Sequence, residues 1–399
     1  MDTFFSSVEI ALFQVIQQGL LPQNEKKEKL VLEAEEWSTL VWMAEKQGVL
    51  PVLYTELCEK QNIQESLKRK VEVAAQRTVQ QQYRLLFLGK YLTQLLAEHQ
   101  IPTVLMKGVA MGAYYPVPEL RRSGDVDLLL LHINDVEKAK TILKQEGYTE
   151  DSEQHALHHV GFSTPEGIEI ELHTMLAEPF DNEKTNTCLK EALEEVTKSV
   201  KIADVMGVEL PVLPNAFFAF EILLHMLQHF LREGFGLKLL CDWVLLWQKE
   251  WSEQEQEKYL NLLERAGIRG FSDTVTLTCV RYLGLSESLI SWMNIKDNYP
   301  VPEFMREILD AEEFGKSNKK RMVVMRGTGL FDYVREFHHQ MRLNFPRAGK
   351  CFLLWPVLWV ITLIRFLRNN RKLRKTSTAS ILREAKRRSK LMKDIALFK

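Results

Sequence analysis

Apolar residues recur at helical spacing through the first hundred positions. Val8, Leu12, Val15, Ile16 and Leu20 predict a helix over 3–20, stopped by Pro22 and Asn24. The period returns over 26–46 with Leu30, Leu32, Trp37, Leu40, Val41 and Ala44, and over 61–98 with Val71, Val79, Leu85, Leu88, Leu92, Leu95 and Leu96. Past residue 100 the pattern changes. Thr103-Val104-Leu105 reads as a short strand. The run Val126-Asp127-Leu128-Leu129-Leu130 reads as a buried strand, and Ile168-Glu169-Ile170-Glu171-Leu172-His173 alternates as a half-buried one. A helix is predicted over 134–146 with Asn134 as its N-cap. A hairpin is predicted between 160–164 and 168–173, turning at Pro165-Glu166-Gly167. Helical patterns resume after 181: Phe217, Phe220, Leu223, Leu224 and Leu227 mark one over 217–230, and another covers 239–247 after Gly234-Phe235-Gly236. More follow over 253–310, with a connection at Pro300 and Pro302. Residues 315–329 are rich in Lys and Arg and read as a mobile loop. The expected fold is α+β. A small mixed β-sheet core at 101–180 lies between all-helical regions at 1–100 and 181–350, with an apolar segment and basic amphipathic tail at 351–399.

The chemistry is concentrated in 102–173. Residues two apart on a strand share a face, so Asp125 and Asp127 point the same way, roughly 6–7 Å apart. Two like charges entering a buried strand are costly without a positive partner. Arg121 and Arg122 can supply one, and a divalent cation is the other answer. Glu169, Glu171 and His173 share a face of the later strand. Paired beside the first, that strand brings a third carboxylate to the aspartates, a donor set suited to magnesium. Glu169 and Glu171 both qualify. Upstream, Lys107-Gly108 sits where a strand turns into a short helix. Glycine there lets backbone amides approach a phosphate, and Lys107 adds positive charge.

This order (Lys-Gly turn, Arg121, Asp-Val-Asp, then Glu-Leu-His) resembles the bacterial uncharacterised nucleotidyltransferases, a branch of the DNA-polymerase-β-like nucleotidyltransferase superfamily. The resemblance is concentrated in 102–175 and is weaker over 225–242. It implies that the glycine turn holds a triphosphate and that three carboxylates hold two magnesium ions. Gly108 matches the turn glycine, Asp125 and Asp127 the paired carboxylates, and Glu171 the third. Val109 departs from the superfamily, standing where Gly or Ser is usual, and the interval from Gly108 to Asp125 is longer than usual. The expected reaction moves a nucleoside monophosphate from an NTP such as ATP to a hydroxyl-bearing acceptor, releasing pyrophosphate. Lys107, Gly108, Arg121 and His173 are the expected nucleotide-binding residues. Glu171 is the first candidate for the base, with His173 second. The acceptor class (small molecule, glycan, peptide or RNA) is open. The alternative is a catalytically inactive nucleotide-binding or scaffolding protein at a membrane surface.

Other candidates are less specific. His155, His158 and His159 cluster before the hairpin, with surface or base-contacting roles favoured over ligation. His225 and His229 are four apart on one helix face, which suits a metal, but His-Met-Leu-Gln-His lacks the glutamate of a metallopeptidase. A structural role or a place facing nucleotide or acceptor, together with Lys238 and Asp242, is the expectation.

Composition bounds the rest. The chain has 399 residues, 46% apolar and 26% charged, with net charge −1, so nothing global favours nucleic acid. Five scattered cysteines fit a reducing cytoplasm rather than disulfides or zinc. The N-terminus does not read as a signal peptide. Residues 352–364 are almost wholly apolar, with Trp355, Pro356 and Trp359, yet fall short of the ~20 residues that span a bilayer. Arg365, Arg368, Arg371, Lys372, Arg374 and Lys375 follow. This composition fits an anchor on an anionic membrane, peripheral to the inner face, or else a helix covering the catalytic module with a basic solvated tail.

Overall fold

The computed structural model describes residues 4–22, 30–60, 62–155, 159–313, 338, 341, 342, 345, 352–369 and 378–398. The first residues of the two earliest predicted helices, His158, the 315–329 loop and Arg371, Lys372, Arg374 and Lys375 lie outside them. The sheet has seven strands: β1 (Thr103–Leu105), β2 (Asp125–Leu130), β3 (Thr149–His155), β4 (His159–Ser163), β5 (Glu169–His173), β6 (Lys201–Val205) and β7 (Val208–Val212). Their order is β3-β4-β5-β2-β1-β7-β6. Pairs β2–β5 and β1–β7 are parallel and the rest antiparallel, so the sheet is mixed. The α+β expectation holds, but the sheet draws β6 and β7 from beyond residue 180. They form a tight hairpin on Met206 and Gly207, whose φ values of 56° and 78° suit a two-residue turn.

The first half carries α1 (Ser7–Leu20), α2 (Ala34–Lys46), α3 (Tyr54–Cys58), α4 (Glu65–Glu98), α5 (Lys107–Ala110) and α6 (Val136–Gln145). The second carries α7 (Glu183–Val196), α8 (Asn215–Leu231), α9 (Leu237–Leu246), α10 (Glu253–Ala266), α11 (Arg269–Leu283), α12 (Glu287–Ile290), α13 (Val301–Ala311), α14 (Trp355–Asn369) and α15 (Thr378–Asp394). Capping decides several starts. Ser6 and Glu9 close a reciprocal box on α1, as do Ser252 and Glu255 on α10. Asn134 does not cap α6: it lies in the single turn Ile133–Asp135, and Asp135 takes the cap position. Pro302 is not in a connection but in the first turn of α13, where its missing N–H costs nothing.

Helix α4 lies across one face of the sheet. A Cβ at Gly89 would stand 3.2 Å from Leu105 and 3.8 Å from Val126, so glycine lets α4 close down on β1 and β2. Val126 faces α4. By the two-residue repeat, Asp125, Asp127 and Leu129 face the other side.

The end of the chain folds back onto the helices. Arg388 is buried, with Nη2 donating to the Phe230 carbonyl at 2.7 Å and Nε 2.9 Å from Glu307. Phe398 N–H donates to the Gly267 carbonyl at 2.8 Å. This part of the basic tail is packed rather than solvated. On α14, Leu358 and Thr362 are buried while Val357, Val360 and Ile364 are exposed. Among the described residues no helix is long and apolar enough to cross a membrane.

Candidate active site

Strand register assembles the acidic cluster. In the parallel β2–β5 pair, Asp125 is partnered with Glu169, Asp127 with Glu171 and Leu129 with His173. One carboxylate oxygen each from Asp125, Asp127 and Glu171 lies within 4.8 Å of the other two. Glu169 is exposed and outside this group. Behind the cluster, Met106 N–H bonds the Asp127 carbonyl at 3.1 Å, fastening the Lys-Gly turn to β2. A Cβ on Gly108 would stand 3.4 Å from the Asp125 carbonyl oxygen and 3.9 Å from Asp127 Oδ2, so the turn lies directly against the aspartates.

Asp127 is the hub. Lys107 Nζ donates to its Oδ1 at 2.9 Å, and His173 Nε2 meets the same oxygen at 2.8 Å and Glu171 Oε2 at 3.1 Å. Burial opposes its charge, but the Lys107 ammonium and the His173 hydrogen bond outweigh it and hold Asp127 well below the usual carboxylate range. Burial and the Lys107 charge both push His173 down, yet its bonds to the two carboxylates lift it above its ordinary value. Glu171 resists burial in the same way and is held low by His173 and Lys107. Asp125 differs. The Asp127 charge beside it, then burial, push its carboxyl up to about 6. Three carboxylates converging beside Lys107 and His173 form a donor set that fits a hard divalent cation. Lys107 itself has φ 36°, a left-handed conformation that strains a side-chain-bearing residue.

A family model described as "Uncharacterised nucleotidyltransferase" matches residues 33–284, well over half of the chain. The chain belongs to this nucleotidyltransferase family. No match is found among the curated proteins. A solved structure titled as an antigenic nucleotidyltransferase-like protein from Paracoccidioides brasiliensis aligns at 14% identity and TM-score 0.31, over 52% of this chain and 96% of that one. So slight a likeness carries no argument.

The other expected site residues fall behind or beside the cluster. Arg121, expected at the phosphates, is buried: Nε and Nη2 each bond Asp242 at 2.8 Å, and Nη1 bonds the Gly108 carbonyl at 2.7 Å. Asp242, expected to face nucleotide or acceptor, is fully buried and also accepts from Tyr115 Oη at 2.8 Å. Both lie in the interior, where their bonds tie α9 to the Lys-Gly turn. Lys238 lies near enough to Asp125 to pull its carboxyl down and is 3.5 Å from Glu313. His225 and His229 stack edge to face, centroids 4.5 Å apart. Burial and the Lys107 charge push both down, His229 to about 4, so both are neutral imidazoles at neutral pH. One turn before His225 on α8 is Glu221, which the sequence reading missed. It is fully buried, and burial pushes it up to about 8 against the pull of the Lys107 charge and backbone N–H. Its signal was a single acid inside the apolar run Phe217-Phe218-Ala219-Phe220-Glu221-Ile222-Leu223-Leu224.

Proposed function

We propose that this chain transfers a nucleotidyl group from a magnesium-bound NTP such as ATP to an acceptor hydroxyl, with release of pyrophosphate. The observation that carries this is the register of Asp127 beside Glu171, with Asp125 completing a three-carboxylate cluster. Asp125, Asp127 and Glu171 would hold magnesium, two ions by resemblance to the DNA-polymerase-β-like superfamily. When bound, the metal supplies charge neutralisation for the triphosphate and acidity for the acceptor hydroxyl. Lys107 balances Asp127 until nucleotide arrives and then offsets phosphate charge. Helix α5 is a single turn, so the amides after Gly108 act as individual donors rather than through a macrodipole. Glu171, ionised and partly exposed, takes the acceptor proton. His173, held between two carboxylates, orients them. Arg121 and Asp242 keep the turn in place, and the neutral His225 and His229 with Lys238 would face base or acceptor.

The test is Asp127→Asn. Magnesium–nucleotide binding measured by calorimetry and pyrophosphate release should both fall by about 10²-fold or more. Unchanged binding and turnover would refute the reading. A catalytically silent nucleotide-binding protein is the second reading, and Val109 favours it: it is apolar and buried where the superfamily offers a phosphate-binding hydroxyl. Tight nucleotide binding with no pyrophosphate formed would select it.

The chain also carries a surface suited to an anionic bilayer. Val357, Val360 and Ile364 are exposed on α14, and basic residues follow in sequence. This supports work at the inner membrane face. Flotation with phosphatidylglycerol vesicles but not phosphatidylcholine vesicles, lost in Val357→Glu/Val360→Glu, is the expected result.

A further inference from the structure

We propose a second cation position beside the carboxylate cluster, formed by His159, Glu171 and His173, that takes a zinc-like transition ion in preference to magnesium. The β4–β5 register builds it. His159 is partnered with His173 and Gly161 with Glu171, so the three side chains share one face and the fourth corner bears no side chain. The two imidazole centroids are 5.5 Å apart, and one donor atom from each of the three residues lies within 4.8 Å of the others. Donors bound to one ion at zinc bond lengths stand about 3–3.5 Å apart. The His173 Nε2–Glu171 Oε2 separation of 3.1 Å is already such an edge.

The donor sets of the two positions differ in kind. Asp125, Asp127 and Glu171 offer oxygen alone, which suits magnesium. Two imidazoles and a carboxylate suit zinc and its neighbours, and three protein ligands leave a coordination position open. Glu171 belongs to both groups. Its two oxygens let it reach either position. His173 Nε2 also meets Asp127 Oδ1 at 2.8 Å, and an ion at the histidine position replaces that hydrogen bond. His159 lies on the opposite side of Glu171 from the aspartates, since β4 flanks β5 on the side away from β2. The two positions therefore lie side by side along the sheet. This inference needs no nucleotide; it shares Glu171 and His173 with the proposed transfer site, and its test is read without the transfer reaction.

The full chain, stripped of metal by chelation, is titrated with Co²⁺ without nucleotide, following visible absorption and calorimetry. One equivalent should bind with a visible band that excess Mg²⁺ does not remove. His159→Gln and His159→Ala should each weaken binding by about 10–100-fold. Asp125→Asn should keep the band, and so should His225→Gln, which breaks the other close imidazole pair. Absence of binding, removal by Mg²⁺, or unchanged binding in either folded His159 variant would overturn the proposal. Failure of the transfer reaction would instead show in the Asp127→Asn nucleotide assay, leaving the cobalt result untouched.

Discussion

Arg121 grips Asp242 with two bonds of 2.8 Å, Nε to Oδ1 and Nη2 to Oδ2, both residues inside the protein. The same guanidinium reaches the Gly108 carbonyl, so α9 is tied to the turn that borders the aspartates. Asp242→Ala strands a buried cation and should cost about 3–5 kcal/mol in urea denaturation. Arg121→Lys should not restore stability to Arg121→Ala, because an ammonium cannot make both bonds. An unchanged midpoint in Asp242→Ala would remove the anchoring role.

The two glutamates of β5 should separate cleanly. Glu171 is partnered with Asp127 and sits in the cluster, whereas Glu169 is exposed. Glu171→Gln should lower pyrophosphate release by about 10²-fold or more, and Glu169→Gln should leave it near the parent rate. Equal losses would mean that both carboxylates reach the reacting atoms.

Asp125 sets an acid limb. Its carboxyl lies at about 6, lifted first by Asp127 and then by burial, and lowered by Lys107. Mn²⁺ affinity, measured by electron paramagnetic resonance as a stand-in for Mg²⁺, should fall as pH drops through about 6. Lys107→Met should move that midpoint upward, because it removes the charge that favours the ionised form. A flat profile from pH 5 to 8 would contradict the assignment of Asp125 as a ligand.

Glu221 predicts a stability term of the opposite slope to ordinary acid denaturation. Its pKa rises from 4.5 to about 8 on folding, so the folded state holds the proton more tightly. That contribution is complete below 4.5 and is lost as pH rises through about 8. Relative to Glu221→Gln, the parent chain should lose stability across this window, by at most about 1.4 kcal/mol per pH unit. A constant difference between the two would show that Glu221 is not buried as a neutral acid.

Much of the site was legible because strand chemistry is local. Asp125 and Asp127 on one face of an apolar run, and Glu171 with His173 on one face of an alternating strand, follow from a two-residue repeat. What the sequence withheld was partnership across distance. Arg121 reads as a phosphate ligand because its charge is visible while Asp242, over a hundred residues away, is not visibly its mate. Strand β3, Thr-Glu-Asp-Ser-Glu-Gln-His, has no apolar residue to betray it. Strand β7, Val-Glu-Leu-Pro-Val, did carry an alternation after Met206-Gly207, hidden by helical patterns on either side, while β6 has none.

The parallel pairing of β1 with β7 bears on how the molecule can be divided. Cutting after residue 180, as the sequence boundaries invite, would leave β1 with β2 alone and bare a hydrogen-bonding edge ending in the apolar Leu105. Such an edge recruits strands from other copies. A minimal fragment for crystallisation or NMR should therefore run through Val212 at least, since the shorter piece would trade solubility for size.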